Sequence, residues 1–165
     1  MNIVDEHEVQ QRLARFTQAA RDAGLKLTQQ RLEIFRELAS RVDHPSAEAL
    51  FKALKPRLPT VSLDTIYRTL WMLAELNVAL TLGPKQGSVR FDANLEQHHH
   101  FVCTQCGLTR DFNSEALDAL PLPEEAQAFG TAQRLQLEVR GLCIDCSDST
   151  VTGAPSSPSK RSTDE

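Results

Sequence analysis

Four cysteines, spaced as two CxxC pairs, constrain this chain more than any other feature. Cys103 and Cys106 form one pair, and Cys143 and Cys146 form the other. Thiolates bind zinc tetrahedrally, and each CxxC turn supplies two sulfurs of one edge, so the pairs together fit one structural zinc ion. Their separation is longer than in a compact zinc ribbon, so a folded insert of helix and strand must bring them together. Two independent buried or redox pairs are the competing reading. A redox CxxC sits at a helix start in a thioredoxin-like βαβ setting, and that pattern is absent here. The charged, polar N-terminus does not read as a secretory signal. That favours metal ligation over disulfides and sets the expectation of a cytoplasmic protein.

A second cluster adjoins the first CxxC. His98 and His100 form an HxH pair in the run HHHFVC, with Asp92 upstream and Asp111 downstream. On a strand, residues two apart share a face, so both imidazoles project together and His99 projects away. Imidazoles with carboxylates suit an exchangeable divalent transition metal, whereas thiolates suit zinc held for structure. The competing reading is a surface histidine run between solvated carboxylates, and a lone His44 is more often structural than a ligand.

The net charge of −4 conceals an asymmetry. Residues 1–90 carry 13 Lys/Arg against 10 Asp/Glu, and residues 91–165 carry 5 against 12. A basic half and an acidic half point to different partners. The apolar fraction of 41% is enough for a core, and no apolar run approaches membrane-spanning length.

The basic half reads as helices. Val9, Leu13, Phe16 and Ala20 recur at helical spacing over 5–23, with Gly24 as C-cap. Thr28 caps a helix over 28–40, Ser46 opens a third, and Ser62 caps a fourth after the turn LPTV. Helix, short turn, helix is the helix-turn-helix pattern. The runs VALTL and SVRFD, around GPKQG, then read as a hairpin placed as a wing. Tyr67 and Arg68 fall in the first half of the fourth helix, where side chains reach base edges. Lys26 and Arg31 are candidate phosphate contacts. The competing reading is an ordinary α+β scaffold, with Tyr67 in the core and the cations solvated.

In the acidic half, HHHFVC and LTRDF read as strands joined by the CxxCG turn. Residues 114–129 read as two short helices or one broken at PLP. The run TAQRLQLEVRGLC alternates as a half-buried strand, with Leu135, Leu137 and Val139 on one face. Residues 147–165 are rich in Ser, Thr, Pro and Asp and read as a disordered tail.

Taken together, GLKLTQQRLEIF, HPSAEALFKAL, TVSLDTIYRTLWMLAELNV, VRFD, HHHFVCTQCG and GLCIDC resemble the ferric uptake regulator family over roughly residues 10–146. The resemblance implies an α+β fold: an N-terminal winged helix-turn-helix domain over 1–91 and a C-terminal α/β dimerisation domain over 92–146 with a four-cysteine zinc site. It implies a homodimeric, metal-dependent repressor that binds double-stranded operator DNA with an inverted repeat. Carried over by position, Cys103, Cys106, Cys143 and Cys146 match the structural zinc ligands. His44, Asp92, His98, His100 and Asp111 match the regulatory ligands for Fe2+ or Mn2+. Tyr67 matches a base-contacting tyrosine and Lys26 a minor-groove lysine.

Within the family, Asp111 is similar to the peroxide-responsive branch, whereas iron-uptake members more often carry Glu there. Gln97 and Leu135 stand where an additional metal site usually has histidines. The expected function is peroxide sensing through Fe(II)-catalysed histidine oxidation, with iron-responsive regulation as the alternative. A metalloenzyme and a metal-buffering protein are the readings from other classes. No general base or substrate cleft is legible for the enzyme, and either reading leaves the helix-turn-helix unexplained.

Overall fold

The computed structural model describes residues 4–83, 89–132 and 135–151. Four helices come first: α1 (Glu6–Asp22), α2 (Gln29–Ala39), α3 (Ala47–Leu54) and α4 (Leu63–Glu75). Their starts follow local chemistry. The side chains of Asp5, Thr28, Ser46 and Ser62 accept N–H bonds from the first turns of α1, α2, α3 and α4. Helix α1 ends where Gly24 takes φ +65°. Gly24 N–H then donates to Arg21 and Leu25 N–H to Ala20, which satisfies two carbonyls left over at the helix end. Asn77, at φ +55°, closes α4 in the same way, with Val78 N–H donating to Leu73.

The buried faces of these helices make one apolar core. Phe16, Ile34, Phe35, Leu38, Leu50, Leu54, Ile66, Leu70 and Leu73 are almost wholly buried. Each such side chain contributes roughly 1.5–3 kcal/mol by leaving water. Phe91 and Ala93 join this core from beyond the helices. A two-stranded antiparallel sheet follows α4, formed by β1 (Leu80–Leu82) and β2 (Arg90–Asp92), with Leu80 opposite Asp92. This is the expected wing hairpin; its tip, 84–88, lies outside the described residues.

A three-stranded sheet follows, in the order β4-β3-β5. Strand β3 (His99–Cys103) pairs antiparallel with β4 (Thr109–Phe112) and parallel with β5 (Glu138–Gly141). The register sets His100 opposite Asp111 and Cys103 opposite Gly141. Between β4 and β5 lie two short helices, α5 (Glu115–Asp118) and α6 (Glu124–Gln127), so PLP separates two helices.

Two expectations change. Of the long alternating strand expected over 131–143, the described residues form strand only over Glu138–Gly141. Val139 lies 45% exposed, because β5 is an edge strand and no second layer covers it among the described residues. Also, α7 (Ile144–Val151) carries helix into the stretch read as a structureless tail, and the rest of that stretch lies outside the described residues.

Candidate metal centres and nucleic-acid face

The parallel pairing of β3 with β5 brings the two CxxC turns together. The four Sγ atoms lie within 4.8 Å of one another, and no disulfide joins them. Cys106 Sγ and Cys143 Sγ are 3.7 Å apart. A tetrahedral zinc with Zn–S bonds of about 2.3 Å has an S···S edge of about 3.8 Å, so the spacing fits zinc. Backbone N–H groups of Cys106 and Cys143 lower the Cys103 thiol to about 6. Its neighbours, Cys143 first and then burial, push Cys146 up to about 12. Sulfurs this close resist ionising together unless a cation stands among them.

The second cluster gathers residues from four places in the chain. His44 sits in the loop before α3, Asp92 ends β2, His98 and His100 flank the start of β3, and Asp111 lies on β4. One ligand atom from each lies within 4.8 Å of all the others. His44 Nε2 is 2.8 Å from Asp111 Oδ1, and His98 Nε2 is 3.0 Å from both Asp92 Oδ2 and His100 Nε2. Metal–ligand bonds of about 2.1 Å place neighbouring ligand atoms about 3.0 Å apart and opposed ones about 4.2 Å apart. The donor set fits a divalent transition metal.

The polar bookkeeping supports the same fit. His44 is buried, yet neither ring nitrogen has a hydrogen-bond partner. The 2.8 Å approach to Asp111 is close, but the ring N–H is not aligned with it. Buried polar atoms without partners are costly, and a cation among these lone pairs resolves the cost. His98 Nδ1 lies 2.7 Å from the Glu96 carbonyl, which only accepts. Nδ1 therefore carries the proton, and Nε2 turns its lone pair inward. Burial works to lower His44, but Asp111 and Asp92 outweigh it and raise His44 to about 9. Burial works to raise Asp92, and His100, His44 and His98 instead hold it far below the usual carboxylate range. An open cleft of ≈ 400 Å³, lined by Arg12, Asp92, Asn94 and Asp111 among others, runs beside the two carboxylates.

His99 does project to the opposite face, but not into water. It is fully buried against Phe112, with Leu137 N–H donating to its Nδ1 and Asp118 Oδ1 3.2 Å from its Nε2. Gln97 donates its amide N–H to the Leu135 carbonyl.

Three of the four predicted DNA contacts share one feature. Lys26, Arg31 and Arg68 line an open groove of ≈ 500 Å³ between the start of α2 and the exposed side of α4, with Thr28 and Thr65. The Arg68 side chain is 81% exposed, with Asp64 one turn away. Arg31 also donates to the Lys26 carbonyl. Tyr67 is not in the groove. Its ring packs partly against the helical core, and its hydroxyl donates to Glu48.

The sequence profile of the ferric uptake regulator family matches residues 22–139. This chain belongs to that family. Over 143 residues it is 32% identical to the peroxide-responsive repressor PerR of Staphylococcus aureus, covering 87% of this chain and 94% of that protein. The ferric uptake regulator of Vibrio cholerae is 28% identical, with a TM-score of 0.64 over 78% of this chain and 99% of that one. The iron-containing ferric uptake regulator of Francisella tularensis is 26% identical, with a TM-score of 0.63 over 75% and 96%. The Helicobacter pylori ferric uptake regulator shares the fold at 20% identity, with a TM-score of 0.69 over 89% and 97%.

The motifs that mark the ferric uptake regulator family name the candidate ligands but not what holds them. Asn94 was missed: its backbone N–H donates to Asp92 Oδ1 at 2.7 Å, and its amide reaches Asp111 Oδ2 at 3.4 Å. Its own Oδ1 accepts from Glu96 N–H at 3.1 Å. The alternation Asp92, Asn94, Glu96, His98 was the available signal, since every second residue of this loop serves the centre.

Proposed function

We propose that this chain is a metal-dependent, DNA-binding transcriptional repressor whose centre of His44, Asp92, His98, His100 and Asp111 senses peroxide. The observation that carries this reading is the convergence of those five ligand atoms within 4.8 Å. They come from both sides of the β2–β3 connection. A divalent ion held by all five fixes the helical half, 1–91, against the half formed by 92–146. In a homodimer that sets the distance between the two α4 helices, and an inverted repeat rewards only one distance. The metal thereby acts as an effector that favours one of two arrangements. Cys103, Cys106, Cys143 and Cys146 hold a separate structural zinc.

The dimer is supported by the apolar surface of the C-terminal half. Leu120, Phe129, Val139, Leu142 and Ile144 are all exposed in the single chain. Lys26, Arg31 and Arg68, in their common groove, are the phosphate-facing cations, and Tyr67 contributes a ring edge beside them. Work on operator DNA assigns the protein to the cytoplasm; no helix among the described residues is long and apolar enough to cross a membrane.

His44, Asp92, His98, His100 and Asp111 would hold the ion through five nitrogen and oxygen donors, and the cleft beside Asp92 and Asp111 would give a small oxidant a route to it. A ferrous ion held there would lend the electrons that cleave the O–O bond and recover them from the ring that is oxidised. The sulfurs are engaged with zinc, so the imidazoles of His44, His98 and His100 are the nearest oxidisable groups, and by resemblance to the family His44 and His98 are the rings at risk. One oxygen atom of peroxide adds to a ring carbon and the other leaves as water. An oxidised ring is a poorer ligand, so the halves separate and DNA is released. Gln97 and Leu135, joined to each other rather than contributing ring nitrogens, favour this reading over iron-responsive regulation.

The test loads zinc-replete protein with Fe(II) or Mn(II), adds low peroxide, and analyses peptides containing His44 and His98 by mass spectrometry. Gain of one oxygen only in the iron form, together with loss of DNA binding, is the expected result. Unmodified histidines and retained DNA binding in the iron form favour the iron-responsive alternative.

A further inference from the structure

We infer that Arg90 is a positioning residue for His44, tying the metal-ligating loop to the zinc turn across the two halves of the chain. The inference rests on the regulatory centre proposed above. His44 is one of two non-glycine residues at positive φ among the described residues, at +50°. Such a conformation is unfavourable for a residue with a side chain and persists only where surrounding contacts impose it. His98 has its ring fixed by the Glu96 carbonyl, but the His44 ring has no hydrogen-bond partner to orient it. The ring packs edge to face on His100, with centroids 5.0 Å apart, and the rest of its placement comes from the backbone.

Strand β2 provides that hold. The guanidinium Nη1 of Arg90 donates to the His44 carbonyl at 3.1 Å. Phe91 N–H donates to the next carbonyl, that of Pro45, at 3.1 Å, and Ser46 bridges Arg90 in antiparallel fashion. The same guanidinium lies against Gly107, the residue after the first CxxC. A Cβ built on Gly107 would stand 3.1 Å from Arg90 Nη2, tighter than an ordinary contact. Arg90 and Gly107 also line one cleft with Asp43, Cys106 and Thr109. One planar, two-pronged cation thus touches the backbone of a regulatory ligand with one nitrogen and packs the other on the zinc turn. An ammonium is a single point donor and does not reproduce that span.

The consequence is directional. When the zinc turn is ordered, Arg90 is held against it, and His44 is presented to Asp111 already in its ligating conformation. Without Arg90, His44 must be ordered by the incoming metal, and affinity falls. Residues that orient metal ligands typically contribute about 10–100-fold in affinity.

The experiment measures Co(II) affinity and the Co(II) absorption spectrum in zinc-loaded full-length protein. It compares the native chain with R90A, R90K, H44A, H98A, R90A/H44A and R90A/H98A. Zinc content and thermal midpoint are read on each variant, and if R90A does not fold, R90M, which keeps the apolar stem, takes its place. R90A is expected to retain zinc, weaken Co(II) binding about 10–100-fold and shift the spectrum towards that of H44A. R90A/H44A is expected to bind no worse than H44A alone, whereas R90A and H98A add. R90K is expected to recover only part of the loss. Native-like Co(II) binding by R90A, or full additivity with H44A, overturns the role of Arg90 while leaving the centre intact. Native-like binding by H44A overturns the centre, and this inference with it.

Discussion

Trp71 on α4 meets Phe91 edge to face, with ring centroids 5.8 Å apart and planes at 81°. Phe91 is fully buried and directly precedes Asp92, so a candidate metal ligand and the exposed side of α4 are one side chain apart. Trp71 is the single tryptophan of the chain and is 44% exposed. Titrating Mn(II) into zinc-loaded protein is expected to change its fluorescence saturably, with one ion per chain. In F91L the change is expected to shrink while Mn(II) affinity stays within a few-fold. An unchanged spectrum at saturating Mn(II) contradicts a rigid link between Asp92 and α4.

The four-sulfur site is expected to be structural. Cys103 is buried at the end of β3, and its Sγ accepts from Cys143 N–H at 3.3 Å. C103S or C143S should lose zinc, lower the thermal midpoint and shift size-exclusion elution from dimer towards monomer, because metal binding here is folding energy. A variant that keeps dimer and midpoint without zinc argues against the assignment.

Proton competition gives a pH signature. In the metal-free protein Asp111 and Asp92 raise His44 from an ordinary 6.5 to about 9. A raised folded-state value stabilises the metal-free fold fully below 6.5, and that contribution disappears as pH rises through about 9. Metal needs the neutral ring, so Mn(II) affinity is expected to run the other way, rising by up to about tenfold per pH unit for each displaced proton between 6.5 and 9. Calorimetry in buffers of different ionisation enthalpy counts those protons. An affinity flat with pH over this window would exclude His44 as a ligand.

Much of this was legible in sequence because it rests on short-range chemistry. Thr28, Ser46 and Ser62 cap helices where hydroxyl side chains precede an apolar period. The HxH spacing predicted one shared face for His98 and His100, and the paired CxxC predicted four converging sulfurs. What was not legible depends on tertiary contacts. The alternation around Leu135, Leu137 and Val139 marks a strand buried on one face, but nothing among the described residues covers Val139. His44 in the family pattern says ligand, yet neither its positive φ nor the Arg90 hold can be read from HPSAEAL. The role of Asn94 shows only in the fold, because its partners, Asp92 and Asp111, are brought together by folding.

On the nucleic-acid face, Tyr67 and Arg68 should behave differently. Arg68 is exposed beside Lys26 and Arg31, so R68A is expected to weaken binding to all DNA and to reduce the salt dependence of affinity. Y67A is expected to lose discrimination between operator and random duplex by about 1–3 kcal/mol. Equal losses on both duplexes, with a lowered thermal midpoint, would place Tyr67 in the core through its contacts with the helices and Glu48.

The most direct test of the switch is the dissociation constant for a duplex from the protein's own promoter, measured on zinc-loaded protein with and without Mn(II). The native chain is expected to bind about 5–150-fold more tightly with Mn(II), the usual range of an allosteric coupling. H44A, which keeps zinc and the groove of Lys26, Arg31 and Arg68, is expected to bind weakly under both conditions. Equal affinity of the native chain with and without Mn(II), or a native-like response from H44A, would contradict control of DNA binding by this five-residue centre.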